Sequence, residues 1–145
     1  MVILVLDLFS GVGSFGLEAI SRGVKKVVFY EDYKDALKIL IKNLKNLQFE
    51  EKAEIIKKNI YNENSFKKFD KTFHLVFIDP PFKDQKLNLL LNNLIRSKVI
   101  NSNTLIIIHR NKKTLDVLNH NFKINRQEIY GSSKILFGFA ICSEF

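Results

Sequence analysis

The sequence predicts an α/β fold with a mostly parallel, seven-stranded sheet closed by a C-terminal antiparallel hairpin. Three observations predict it. Apolar runs alternate with amphipathic stretches along most of the chain. The runs are apolar at nearly every position, as strands covered on both faces must be, and the last two follow one another with no helical stretch between them. With 145 residues, 46% of them hydrophobic, the chain suffices for one domain over residues 1–145 with its own core.

The elements follow in order. Val2 to Asp7, Lys26 to Glu31, Ala53 to Lys58, His74 to Asp79 and Thr104 to His109 are rich in Val, Ile, Leu and Phe, and each leaves a polar or turn residue behind it. That is the pattern of buried strands. Ser14 to Ser21, Tyr33 to Leu47, Asn64 to Phe69, Gln85 to Ser97 and Lys112 to Asn119 carry apolar residues three and four apart, which predicts helices. Ala36, Leu37, Leu40, Ile41, Leu44 and Leu47 form the fullest stripe. Right-handed crossovers then make the first five strands parallel. Lys123 to Tyr130 and Ser133 to Cys142 are joined only by Gly131 and Ser132, hence the hairpin. In such a sheet, ligands bind beyond the carboxyl ends of the strands.

Composition narrows the function. Two prolines, six glycines and one cysteine exclude a collagen-like repeat and a disulfide scaffold, and Cys142 suits a reducing compartment. No run of about 18 apolar residues is present to span a bilayer, and the apolar start Met1 to Leu6 meets Asp7 with no basic flank. A cytoplasmic protein that binds no membrane is the expectation. The net charge of +8 favours a polyanionic partner such as RNA or DNA, although a solubilising surface accounts for it equally simply.

Asp7-Leu-Phe9-Ser-Gly11-Val-Gly13-Ser-Phe-Gly16 places a GxGxxG between the first strand and the first helix. Glycines there allow a tight turn and a close backbone approach to a ligand at the helix amino end. Glu31 ends the second strand about 20 residues on, where a carboxylate takes both hydroxyls of a ribose. Together they point to an adenosine-containing ligand. Asp7, at the end of the first strand, would repel a pyrophosphate but pair with a cationic amino-acid moiety, which favours S-adenosylmethionine over NAD. Asn59 and Ile60, after the third strand, offer a side-chain amide and a backbone amide to an adenine edge; Asn59 is equally a plain turn residue.

The sharpest signal is Asp79-Pro80-Pro81-Phe82, directly after the fourth strand, where both prolines of the chain fall. They end the strand and remove two amide donors, so that the Asp79 carboxylate and the Pro80 carbonyl can converge as acceptors on one amino group. Phe82 is placed to stack on the ring that bears it. His74, His109 and His120 lack metal-ligand spacing with Cys142 or with each other, and no metal site is expected. Lys25 and Lys26, Lys83 and Lys86, and Arg110 with Lys112 and Lys113 lie beside predicted strand ends. Those near Lys83 and Arg110 are candidates for phosphate contact, with a solvated rim as the equal alternative.

The glycine loop, Glu31 and Asp79-Pro80-Pro81-Phe82, in that order, resemble the class I S-adenosylmethionine-dependent amino-methyltransferases. More narrowly, Val5 to Ala19, the Asn43-Leu44 pair, Asn59 and the terminal Tyr130-Gly131-Ser-Ser-Lys134 are similar to the bacterial RsmD group. That group methylates the exocyclic N2 of a guanine in 16S ribosomal RNA. The resemblance implies a Rossmann-like class I methyltransferase fold, an rRNA partner within the small ribosomal subunit or an assembly intermediate, and a monomer. By position it places Asp7, Gly11 and Gly13 on the methionine and ribose side, Glu31 on the ribose hydroxyls, Asn59 and Ile60 on the adenine, and Asp79 to Phe82 on the target base, with Phe9 and Asp79 also counted among the cofactor-binding residues. Two departures stand out. Relatives carry a basic segment before the first strand, whereas here Met1 stands almost on the glycine loop, and relatives often have an acid where the fifth strand ends in His109, which is expected to be an ordinary surface histidine.

Other readings of the residues stay open. Adenine N6 in DNA or RNA, or a glutamine amide in a protein, would fit the same tetrapeptide, and a nucleotide-binding module without catalysis would need only the glycine loop and Glu31.

Overall fold

The computed structural model describes residues 2–62 and 64–141. The sheet has seven strands: β1 (Leu4–Leu8), β2 (Lys26–Tyr30), β3 (Ala53–Ile56), β4 (Leu75–Ile78), β5 (Leu105–Asn111), β6 (Phe122–Tyr130) and β7 (Ser133–Ala140). Their order is β3-β2-β1-β4-β5-β7-β6; β1 to β5 run parallel and β7 is antiparallel to both β5 and β6. This is the predicted architecture. The end of the predicted last strand, Cys142, lies outside the described residues.

Strand alternation divides the core in two. Val5, Val27 and Phe29 face α1 (Ser14–Ser21) and α2 (Lys34–Leu47), where they meet Ile20, Leu40 and Leu44. Leu6, Leu8, Val28, Val76, Ile78, Ile106 and Ile108 face the other way, onto α3 (Leu87–Arg96) with its Leu87, Leu90, Leu91 and Leu94. Burial of these side chains, at about 1.5–3 kcal/mol each, is what holds the sheet between its helices. α2 carries Asp35 in its first turn and Lys45 in its last, both favourable to the helix dipole, and ends on Gln48 in the left-handed region. Only Leu37, Leu40 and Leu44 of its stripe are buried; Ile41 and Leu47 stand off the contact line, exposed.

Two predicted helices are not helices. Residues 64–69 form successive turns around the buried Ser65 and Phe66, because the Asn62 side chain accepts from the Asn64 amide at 2.9 Å and offers the backbone an alternative to a helix. Residues 112–119 form an open loop, with Leu115 and Val117 exposed and Asp116 drawn inward by Arg110. A stretch whose apolar residues find no face to bury has nothing to hold it helical.

The chain reverses its direction of travel through the sheet at β1, which pairs with β2 on one side and β4 on the other. A crevice opens above that point, beyond the carboxyl ends of the strands.

Candidate active site

The crevice is a cavity of about 600 Å³, within the range of small-molecule sites. Phe9, Glu31, Asn59, Ile60, Asp79, Pro80 and Pro81 line it, together with Tyr30, Asp32, Tyr33, Lys58, Tyr61 and Asp84. The structure thus brings together seven of the residues read from the sequence. Asp7, Gly11, Gly13 and Phe82 stand outside this lining.

The glycine loop owes its shape to backbone conformation. Phe9, Gly11 and Gly13 have φ of 57°, 57° and 91°. A side chain on Gly13 would also collide with Leu40, its Cβ falling 2.4 Å from a methyl carbon. The Gly11 amide donates to Glu31 Oε1 at 2.7 Å, and Glu31 Oε2 accepts from the Tyr33 amide at 3.0 Å. Glu31 therefore ties the loop to the end of β2 while it lines the cavity. Phe9, held in a conformation uncommon for a bulky residue, packs its ring at 5.9 Å from that of Tyr61.

Asp7 lies outside the cavity lining. It is 1% exposed, below the loop, and its Oδ2 accepts from the Gly16 amide at 3.1 Å in the first turn of α1. Strand alternation turns Asp7 toward α1, so it takes the place of the side-chain cap that Gly13, the N-cap residue, cannot supply. Burial pushes its carboxyl up to about 7; the Gly16 amide opposes this, and the Asp79 and Glu31 carboxylates add to it. Its Oδ1 is buried without a partner.

Asn59 keeps both of its readings. Its side-chain oxygen accepts from the Tyr61 amide at 2.9 Å in a turn, while the residue lines the cavity. Ile60 is buried in the core at the cavity wall.

The far wall is built by residues far apart in the chain whose ties no local pattern announces. Arg110 is 2% exposed and forms a two-pronged pair with Asp116, through Nε at 2.8 Å and Nη2 at 3.1 Å. It also donates to the Pro81 carbonyl at 3.2 Å and the Asp84 carbonyl at 2.7 Å, clamping both ends of the Pro81–Asp84 turn. Arg110 is therefore neither the phosphate contact nor the solvated rim residue that the sequence left open: four of its five N–H donors are spent inside. The Tyr61 hydroxyl donates to Asp84, and the Lys86 ammonium sits 5.1 Å above the Tyr61 ring. His109 is no ordinary surface histidine either. Its Nδ1 lies 2.8 Å from Asp79 Oδ1 and its Nε2 lies 2.8 Å from Ser133 Oγ. Phe82 is 66% exposed and borders two adjoining clefts, one of them shared with Asp79, Pro80, His109 and Ser133. The only sequence signal for these ties is the strand alternation that sends His109 and Arg110 to opposite faces of β5.

The charge of the cavity selects among ligands. Four carboxylates, Glu31, Asp32, Asp79 and Asp84, line it against the single cation Lys58, in a chain of net charge +8. Such a lining repels a pyrophosphate and suits a ligand that carries positive charge. Among the described residues no three His, Cys, Asp or Glu side chains converge as metal ligands.

A family described as Conserved hypothetical protein 95 matches residues 3–138. The chain belongs to it. The resemblance to the RsmD group holds at this level: this member of the family is 32% identical over 127 residues to Ribosomal RNA small subunit methyltransferase D of Haemophilus influenzae, a match covering 87% of this chain and 66% of that relative. The chain spans 70%, 66% and 64% of the lengths of relatives from Bacillus subtilis, Haemophilus influenzae and Buchnera aphidicola. A solved structure described as a conserved hypothetical protein from Streptococcus pyogenes superposes with a TM-score of 0.83 at 26% identity, covering 94% of this chain and 85% of that one. A structure of an rRNA methylase from Streptococcus thermophilus shares the fold at 14% identity with a TM-score of 0.69, covering 97% of this chain and 87% of that one. The family member's fold is that of the class I methyltransferases, a seven-stranded, mostly parallel sheet with an antiparallel C-terminal pair.

Proposed function

We propose that this chain transfers a methyl group from S-adenosylmethionine to the exocyclic N2 of a guanine in small-subunit ribosomal RNA. The observation that carries this reading is the place of Asp79-Pro80-Pro81 on the same anionic cavity as Glu31, with Phe82 exposed beside it. The names of the relatives and the net charge of +8 support an RNA substrate, within the small subunit or an assembly intermediate.

The lining fits the cofactor chemically. Glu31 would hold the ribose hydroxyls, Asn59 and Ile60 the adenine edge, and Phe9 the apolar side, while Gly11 and Gly13 shape the loop and Asp7 supports it from below. When bound, S-adenosylmethionine supplies an electrophilic methyl group on a positively charged sulfur.

The residues of the chain prepare the acceptor. The lone pair of a nucleobase amine is delocalised into its ring and becomes available when hydrogen bonds draw the nitrogen out of the ring plane. Asp79 and the Pro80 carbonyl accept those bonds. The Pro81 carbonyl is already engaged by Arg110 and by the Asp84 amide, whereas no donor among the described residues pairs with that of Pro80. Positioning of this kind supplies much of the acceleration. The base must leave its stack to enter, so an unpaired nucleotide is the cheapest substrate, and the exposed Phe82 ring replaces the stacking lost.

Two measurements test the reading. Calorimetric titration should show saturable binding of S-adenosylmethionine and S-adenosylhomocysteine but not NAD, weakened in Glu31→Ala. Tritiated methyl groups should then enter hypomethylated small subunits and appear as N2-methylguanine on nucleoside analysis. Label in adenine N6 would move the substrate assignment, and binding of NAD alone would overturn the enzyme.

A further inference from the structure

We propose that His109 and Ser133 form a hydrogen-bonded row that fixes Asp79 as the acceptor for the target amine, with His109 as a positioning residue for the reaction. The inference rests on the reading of the site as an amino-methyltransferase. Three residues from three strand ends meet in line: Asp79 follows β4, His109 lies in β5 and Ser133 opens β7. The two contacts, each 2.8 Å, engage both ring nitrogens of one imidazole. β5 and β7 hold the geometry, since His109 and Ile135 are register partners and so are Asn111 and Ser133.

The row assigns the ring its tautomer. A neutral imidazole has one donor and one acceptor, and Asp79 as a carboxylate can only accept. Nδ1–H therefore donates to Asp79 Oδ1, and the Ser133 hydroxyl donates to Nε2. Of the charged groups around the ring, Asp79 is bonded to it, while Arg110, its neighbour in β5, points to the opposite face and is spent on Asp116. With Oδ1 occupied, Oδ2 is the oxygen left to take a substrate N–H. The row has the order of a serine nucleophile relay but faces the other way: its acid borders the 600 Å³ cavity, whereas Ser133 borders only the small cleft beside it.

The test compares the wild-type chain with His109→Ala, His109→Asn and Ser133→Ala, using tritiated S-adenosylmethionine and hypomethylated small subunits. An asparagine amide reproduces the Nδ1 donor; alanine does not. His109→Ala should lower kcat about tenfold, the effect of one hydrogen bond to a charged group, with the KM for subunits and the calorimetric Kd for S-adenosylmethionine within about twofold. His109→Asn should recover most of the rate, and Ser133→Ala should lower it about threefold. Independently of activity, nitrogen chemical shifts should show neutral His109 protonated at Nδ1, opposite to the form that free histidine favours. Equal rates for wild type and His109→Ala, or a ring protonated at Nε2, would overturn the role. Absence of any methyl transfer by the wild-type chain would overturn the enzymatic reading and the role together.

Discussion

The two walls of the cavity are built by different means. On the β1–β2 side, the glycine loop, Glu31 and Asp7 are joined by contacts between the ends of neighbouring parallel strands, and the positive φ of Phe9, Gly11 and Gly13 sets the shape. On the β4 side, a turn rigid in its two prolines is held in place from a distance, by Arg110 through its carbonyls and by His109 through its acid. The first wall takes its shape from backbone conformation, with the Glu31 and Asp7 carboxylates accepting from the Gly11 and Gly16 amides, whereas the second depends on a buried cation and fails when that cation is removed.

Arg110→Ala should therefore have the largest effect. It leaves Asp116 without its partner beneath the turn, and should cost about 3–5 kcal/mol of stability by urea unfolding, as breaking a buried ion pair does. A loss below 1 kcal/mol would mean that the prolines alone hold the turn.

Asp7 tests the opposite wall through pH. Its carboxyl rises from the ordinary 3.8 to about 7 on folding, so the folded state holds the proton more tightly than the unfolded chain. The stability this provides is full below pH 3.8, declines as pH rises toward 7, and is gone above it, a span of about 4 kcal/mol at 1.36 kcal/mol per unit. Subtracting the stability profile of Asp7→Asn from that of the wild type should isolate this decline. A flat difference would place the carboxyl in a wetter environment than the fold provides.

Asp79→Asn should lower methyl transfer about a hundredfold while weakening cofactor affinity no more than about threefold, since an amide in place of the carboxylate presents a donor to the amine and removes only one of the four carboxylates that line the cavity. Glu31→Ala should do the reverse, weakening S-adenosylmethionine about tenfold in calorimetry through loss of the acceptor for the ribose and of the tie to Gly11. The pair of variants sharpens the division of the cavity into a cofactor wall and a base wall; equal losses of binding in both would erase it.

The β1–β2 wall was legible in the sequence because its determinants are local. A glycine pattern between a strand and a helix, and an acid at the next strand end, meet wherever two parallel neighbours end together. The burial of Asp7 was not legible: the pattern gives the position of an acid along β1 but not which face of the strand it takes relative to α1. The β4 wall was legible only as far as Asp79 to Phe82. Nothing in the order of residues shows that Arg110 reaches back to residues 26 and 29 positions earlier, or that Ser133 completes a row with His109. Residues 64–69 and 112–119 carry a helical period without forming helices: at the first the Asn62 side chain competes for the backbone, and at the second Leu115 and Val117 meet no core to receive them.

By itself the sequence determined the fold class, the order of its strands along the chain, the glycine loop, and the acid and prolines that line the cavity, because hydrophobic periodicity and special backbone residues act over a few positions. The tertiary structure decided which polar side chains are spent on the scaffold and which stay free for a ligand. That allocation depends on distances between strand ends far apart in the chain: it buries Arg110, joins His109 to Asp79, and leaves Phe82 in the open.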